Sequence, residues 1–166
     1  MIIYNITKIK YKFSLLIIFL SILILPIYSL AWSGQVVGIS DGDTITVLNR
    51  GKGEKIRLYG IDEPESHQDF GAKSKRFLSD LIFSKQIEVT PETTDRYGRT
   101  VALVYLNDTC VNEELIRNGF AWVFTKYCLK SFCRQWKKIE TQAQIEKVGI
   151  WSHKDSIPPW EFRRTK

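Results

Sequence analysis

Cysteine, histidine and methionine are scarce in this 166-residue chain, with three, two and one copies. An odd cysteine count excludes a disulfide-dense scaffold, because at least one of Cys110, Cys128 and Cys133 stays unpaired within a monomer. A zinc centre is disfavoured as well, since there is no second cysteine pair and neither His67 nor His153 stands at ligand spacing. No glycine triplet or apolar heptad persists, which excludes collagen-like and coiled-coil chains. Charge is absent altogether from Phe13 to Ala31, where Leu, Ile and Phe dominate. That is one long apolar stretch, and a multi-span membrane protein is excluded.

Lys8, Lys10 and Lys12 precede the uncharged stretch, and Ser29-Leu30-Ala31 closes it with small residues three positions apart. Residues 1–31 therefore read as a signal peptide, with export to the medium or a periplasm as the expectation. The alternative is an uncleaved anchor, which would hold the protein at a membrane; Pro26 and the cleavage pattern favour removal. Beyond Ala31 stand 21 basic and all 18 acidic residues, a net charge of +3. That remainder is enough for one core. We expect a single domain over 32–152 and an extended C-terminal tail over 153–166, which contains Pro158-Pro159 and Arg163-Arg164. Cys128 and Cys133 are the favoured disulfide pair, closing a loop of four residues before the last helix.

Three runs of alternating apolar and polar residues, 35–39, 44–48 and 55–59, are broken by Asp41-Gly42 and by residues 49–53, the pattern of a three-stranded meander. Gly71 to Phe83 places Phe77, Leu78, Leu81 and Ile82 on one helical stripe. Residues 86–90 and 100–106 are rich in β-branched side chains and flank a turn over 94–99, adding two strands. Asn112 is expected to cap a short helix that Gly119 ends, and a last helix over about 132–148 buries Trp136, Ile139 and Ala143. Three strands, helix, two strands is the order of an α+β domain built on a five-stranded Greek-key barrel of the oligonucleotide-binding (OB) type, with three α-helices.

Acidic residues crowd two loops: Asp41 and Asp43 in Asp-Gly-Asp-Thr, and Asp62, Glu63 and Glu65 in Ile-Asp-Glu-Pro-Glu. If the loops meet, two carboxylates about 4 Å apart repel by roughly 4 kcal/mol at an effective dielectric of 20, so a cation or a proton must hold them. An all-oxygen set favours Ca²⁺ or Mg²⁺ over zinc or copper. The plain alternative is a hairpin turn with solvated acids. Arg57 leads into the second acidic loop, and Arg99 leaves the turn that also holds Arg96, Tyr97 and Gly98. Two guanidinium forks aimed at a phosphate would offset the extra charge of its transition state, a geometry lysine lacks. Equally, Arg57 could form a structural salt bridge with Asp62 or Glu65. His67 reads as an exposed loop residue.

Taken together, Asp41-Gly42-Asp43-Thr44, Arg57 through Glu65, Asp95-Arg96-Tyr97-Gly98-Arg99, Val111 through Leu115 and Gly149-Ile150-Trp151 resemble the staphylococcal nuclease family in order and spacing. The resemblance spans about residues 36–152. It implies a calcium-dependent phosphodiesterase that cleaves DNA and RNA, favours single or denatured strands, leaves 3′-phosphate ends and works as a monomer. Asp43 and Asp62 would be metal carboxylates, with the backbone carbonyl of Glu63 as a further ligand and Asp41 supporting the site from behind. Glu65 would activate water, Arg57 and Arg99 would clamp the phosphate, and Arg96 and Tyr97 would contact nucleotide. The family's commoner residue at 63 is Thr. Where its best-known member has a nucleotide-contacting tyrosine this chain has Thr125, with Tyr127 and Trp122 as nearby substitutes. The rival reading is a non-catalytic single-strand-binding OB module, membrane-tethered if the leader persists.

Overall fold

The computed structural model describes residues 31–165, so the leader expected over 1–31 lies almost wholly outside the described residues. In chain order the elements are β1 (Trp32–Ile39), β2 (Thr44–Asn49), β3 (Lys52–Leu58), β4 (Ile61–Asp62), α1 (Gly71–Ile82), β5 (Gln86–Thr94), β6 (Thr100–Leu106), β7 (Thr109–Cys110), α2 (Val111–Arg117), β8 (Trp122–Val123), α3 (Cys133–Glu146) and α4 (Pro159–Phe162). A 3₁₀ turn covers Gly149–Ser152. No helix among these residues is long and apolar enough to cross a membrane.

The meander of β1, β2 and β3 is antiparallel, β5 pairs with β1, and β6 pairs with β5. Closure comes from a parallel pairing of β3 with β6, in which Ile56, Arg57 and Leu58 register with Thr100, Val101 and Ala102. The result is the expected closed five-stranded barrel of the OB type, with helices packed outside it. The β2–β3 hairpin turns tightly on Arg50 and Gly51, both at positive φ (49° and 79°), so β3 begins at Lys52, inside the stretch read from sequence as a break. Two residues of that conformation match the right-handed twist of the flanking strands.

Alternation along the strands fills the interior. Ile45, Val47, Ile56, Leu58, Val89 and Val104 are all buried, and Leu78 and Ile82 of α1 close one end. The stripe of α3 is as expected, with Trp136, Ile139 and Ala143 buried. Glu140 is buried on that helix too, and its Oε1 accepts the Val123 N–H at 2.8 Å, which anchors β8. Since β8 pairs with β4, this contact also fixes Asp62 opposite Trp122.

Two sequence expectations are corrected. Asn112 does not cap α2: the capping position is Cys110, and Asn112 lies fully buried in the first turn. Its Oδ1 accepts the Val104 N–H (3.0 Å), and its Nδ2 donates to the carbonyls of Tyr59 (3.0 Å) and Ala102 (3.3 Å). An amide carries donors and acceptor together, so it ties a helix to β6 and to the turn after β3, where a cap would serve only its own helix. Nor is the tail extended throughout. Pro159 starts a helical turn, as its preset φ favours, and is itself buried. Trp160 then stacks on Phe124, with centroids 4.9 Å apart and planes 5° from parallel. Ring burial outweighs solvation of so short a segment.

Candidate active site

Barrel closure assembles the first half of the site. Thr44, the first residue of β2, faces Arg57 across the ladder, and Arg57 faces Val101 of β6 on its other side. Ile56 and Leu58 point into the core, so the alternation turns Arg57 outward at the spot where Asp43 precedes β2. The Leu58 N–H donates to the Asp43 carbonyl at 2.8 Å, locking the two strand ends together. Arg57 Nη1 pairs with Asp43 Oδ1, while Nη2 donates to Asp62 Oδ1 (3.0 Å) and to the Ile61 carbonyl (3.2 Å). Asp43 and Asp62 are both buried. Burial pulls the Arg57 pKa below its ordinary value, against the attraction of Asp62 and Asp41, but a guanidinium stays charged at physiological pH. Arg57 thus forms the Asp62 salt bridge foreseen as an alternative and adds Asp43 to it.

Asp41, Asp43 and Glu63 form the acidic cluster: each offers a carboxylate oxygen, and these atoms lie within 4.8 Å of one another. Each charged pair at that separation costs roughly 3.5 kcal/mol at an effective dielectric of 20. The Glu63 side chain is the surprise. The family resemblance assigned this residue a backbone role, yet its carboxylate is buried among the other two, with Oε1 accepting the Gly42 N–H and Oε2 buried without a hydrogen-bond partner among the described residues. Burial first, and then the Asp41 charge, push its pKa up to about 8. Gly42 makes the approach possible, because a Cβ there would collide with the Glu63 carboxylate and the Ser74 hydroxyl. An unsatisfied buried carboxylate oxygen beside two more acids fits a hard divalent cation, whose ligands would all be oxygen. Asp62 stands outside this trio, between Arg57 and Arg163.

Arg99 enters from the turn before β6. Asp95 organises that turn, accepting the Tyr97 and Arg99 N–H groups (2.9 Å each) on Oδ1 and Arg99 Nε (2.7 Å) on Oδ2. Burial works against ionisation of Asp95, but the hydrogen bonds from Arg99 and Tyr97 hold its pKa below the ordinary value. Arg99 Nη1 reaches Thr44 Oγ1 at 3.4 Å, and that hydroxyl is bonded to Asp43 Oδ1. Arg57 and Arg99 therefore flank Asp43. Tyr97 is exposed, with the Arg96 and Arg99 guanidinium carbons 5.1 and 5.6 Å from its ring centre. Glu65 lies on the irregular loop before α1, and Arg163 Nη1 donates to its Oε1 at 2.6 Å.

Of the tyrosine substitutes, Trp122 is buried and packs edge-on against Trp151, which removes it as a stacking surface. Tyr127 is exposed and lies edge-on to Phe124. Cys128 and Cys133 are joined by a disulfide, and Cys110 is free. Sequence reasoning placed Glu63 in the acidic loops but gave it only a backbone ligand role, and it did not find Trp160 or Arg163 as parts of this region. The Arg163-Arg164 pair was visible, but nothing local ties it to acids about a hundred residues earlier.

The sequence has counterparts among known proteins. Residues 55–153 match the family model of staphylococcal nuclease homologues. The chain belongs to the staphylococcal nuclease family. A micrococcal nuclease of Shigella flexneri is 37% identical over 146 residues, covering 81% of this chain and 83% of the relative. An uncharacterized endonuclease of Haemophilus influenzae is 40% identical over 131 residues, 78% of this chain and 72% of that one. A staphylococcal-like nuclease of Arabidopsis thaliana is 35% identical over 112 residues, 68% of this chain but 34% of the larger plant protein. The family places the OB barrel described above among nucleases, and the acidic cluster is the part of it suited to a metal ion.

Proposed function

We propose that this family member is an exported, calcium-dependent nuclease that hydrolyses phosphodiester bonds of DNA and RNA as a monomer, prefers single or denatured strands and leaves 3′-phosphate ends. The carrying observation is the convergence of Asp41, Asp43 and Glu63 with Arg57 and Arg99 at one end of the barrel. Phosphodiesters repel hydroxide, so hydrolysis needs a cation, a base and donors for the charge that develops. Asp41, Asp43 and Glu63 would hold the ion, joined by Asp62 once it is released from Arg57; when bound, it screens the phosphate and polarises the ester. Glu65, whose carboxylate is partly exposed, takes the proton of the attacking water. Arg57 and Arg99 donate to the phosphate oxygens and stabilise the added charge of the transition state. Arg57 is now paired with Asp43 and Asp62, so a cation on those acids would free its donors for substrate, while Arg99 keeps Asp95 on Nε and holds Nη1 toward Thr44.

Arg96 and the exposed Tyr97 ring, with Tyr127 nearer the tail, supply local contacts to nucleotides. A net charge of +3 beyond the leader gives weak long-range attraction, which makes such contacts matter. Export rests on the leader, and the Cys128–Cys133 disulfide suits an oxidising compartment. Two measurements test the proposal. Purified protein should cleave denatured DNA with calcium and lose the activity in excess chelator; cleavage that survives chelation removes the metal role. Amino-terminal sequencing should find mature protein starting near Trp32, whereas an intact leader on membrane-bound protein would refute export.

A further inference from the structure

Glu65 carries the base in the reading above, yet its loop is neither helix nor strand. Residues 63–70 are held by turns, with the Gln68 N–H donating to the Glu65 carbonyl at 2.8 Å and the Glu65 N–H donating to Gln68 Oε1 at 3.1 Å. Those bonds fix the backbone and leave the side chain free to choose among rotamers. Among the described residues, the recorded partner of the Glu65 carboxylate is Arg163, at 2.6 Å from Oε1. The same guanidinium turns its Nη2 to Asp62 Oδ2 at 2.7 Å. One planar group thus spans two acids and sets their separation, while Arg57 holds the other Asp62 oxygen.

The tail is docked to make this contact. Gln68 Nε2 donates to the Ile157 carbonyl at 2.7 Å, so one side chain clamps the Glu65 backbone on one end and the tail on the other. Pro159 is buried, Trp160 stacks on Phe124, and the Phe162 ring lies 5.2 Å from that of His67. These contacts hold the segment independently of the ion pairs, as befits a fixed part rather than a latch. Glu65 Oε2 makes no recorded hydrogen bond among the described residues, so the clamp leaves one oxygen open to accept a proton.

We propose that Arg163 is a positioning residue of the active site: α4 delivers its guanidinium to orient Glu65, and Asp62 with it, for hydrolysis. This rests on the nuclease reading. Lysine keeps the charge but cannot bridge both acids with one planar fork.

The test uses the full chain, calcium and denatured DNA. Arg163→Ala should lower kcat by about 10- to 100-fold, the scale of a catalytic group misplaced by about 1 Å. KM should stay within about twofold, because the loss falls on the transition state. Arg163→Lys should recover part of the rate, and Arg163→Ala should cost clearly less in a Glu65→Gln background than in wild type, the remainder being its effect through Asp62. Independently of activity, hydrogen exchange over residues 63–70 should quicken in Arg163→Ala, with or without calcium, while the barrel strands stay unchanged. An unchanged kcat, a full further loss in the Glu65→Gln background, unaltered exchange, or a faster enzyme, the sign of an inhibitory latch, would each overturn the assignment. If the wild-type protein does not cleave at all, the nuclease reading falls with it; if it cleaves and the variant matches it, Arg163 alone is wrong.

Discussion

Arg57 and Glu65 are eight residues apart, but the first is held by three strands and the second by a distant tail. Arg57 sits in the middle of a barrel wall, registered against Thr44 and Val101, and its direction follows from strand alternation. Glu65 sits in an irregular loop held by turns, by the Gln68 side chain and by α4. The difference teaches where rigidity comes from in this site. On one bank the backbone ladder fixes the charge; on the other, side chains fix each other, and the bank can loosen without unfolding the barrel.

The largest effect is expected on the strand-borne bank. Arg57→Ala removes a phosphate donor and leaves buried Asp43 and Asp62 without their shared partner. Activity should fall by about 10²–10³-fold or more. Without calcium the protein should lose about 3–5 kcal/mol in denaturant titration, the range for breaking a buried pair. Calcium should restore part of that stability. If Arg57→Ala is inactive but as stable as wild type without calcium, the acids do not depend on it.

Glu65→Gln on the loop-borne bank should behave differently. Turnover should drop by about 10²–10⁴-fold with little change in melting temperature, because the side chain is partly exposed and its loss exposes no core. A comparable loss of stability in both variants would erase the contrast between the banks.

These two banks were unequally legible in the sequence. Alternation in 55–59 gave Arg57 its outward direction, and the order of strands brought Asp43 and Arg99 to it. Five strands, the helix over 71–82 and the stripe of α3 follow from periodicity alone, because one face of each is buried. The Asn112 amide was misread as a cap, since an Asn near a helix start looks the same whether it serves its own helix or a strand and a turn. Glu63 was read among the converging acids but assigned to the metal only through its backbone carbonyl, because the turn that folds its carboxylate back over Gly42 depends on a tertiary contact. Arg163 reaches Asp62 across 101 positions, and no local pattern encodes such a pair.

Glu63 offers a finer probe of the cation side. Glu63→Gln should weaken calcium binding by about tenfold or more in calorimetry, since the ion needs the ionised carboxylate, and should raise calcium-free stability at neutral pH, since it removes the cost of keeping a buried carboxyl protonated. Calcium affinity equal to wild type would return residue 63 to a backbone role. The smallest effect on chemistry is expected far from both banks. Asn112→Ala should cost about 1–3 kcal/mol by stranding the Val104 N–H and the Tyr59 carbonyl, with kcat for the folded fraction unchanged. A loss of kcat without loss of stability would mean that the barrel junction also tunes the site.

The central claim is that the acids and the two arginines act together on a phosphodiester with a bound cation. Its most direct test is a calcium titration of denatured-DNA cleavage by the purified wild-type protein alongside a calorimetric titration of the same sample. The account expects cleavage to appear with the binding isotherm and to vanish when chelator removes the ion. Calcium binding without cleavage, or cleavage at full rate with the ion removed, would contradict it.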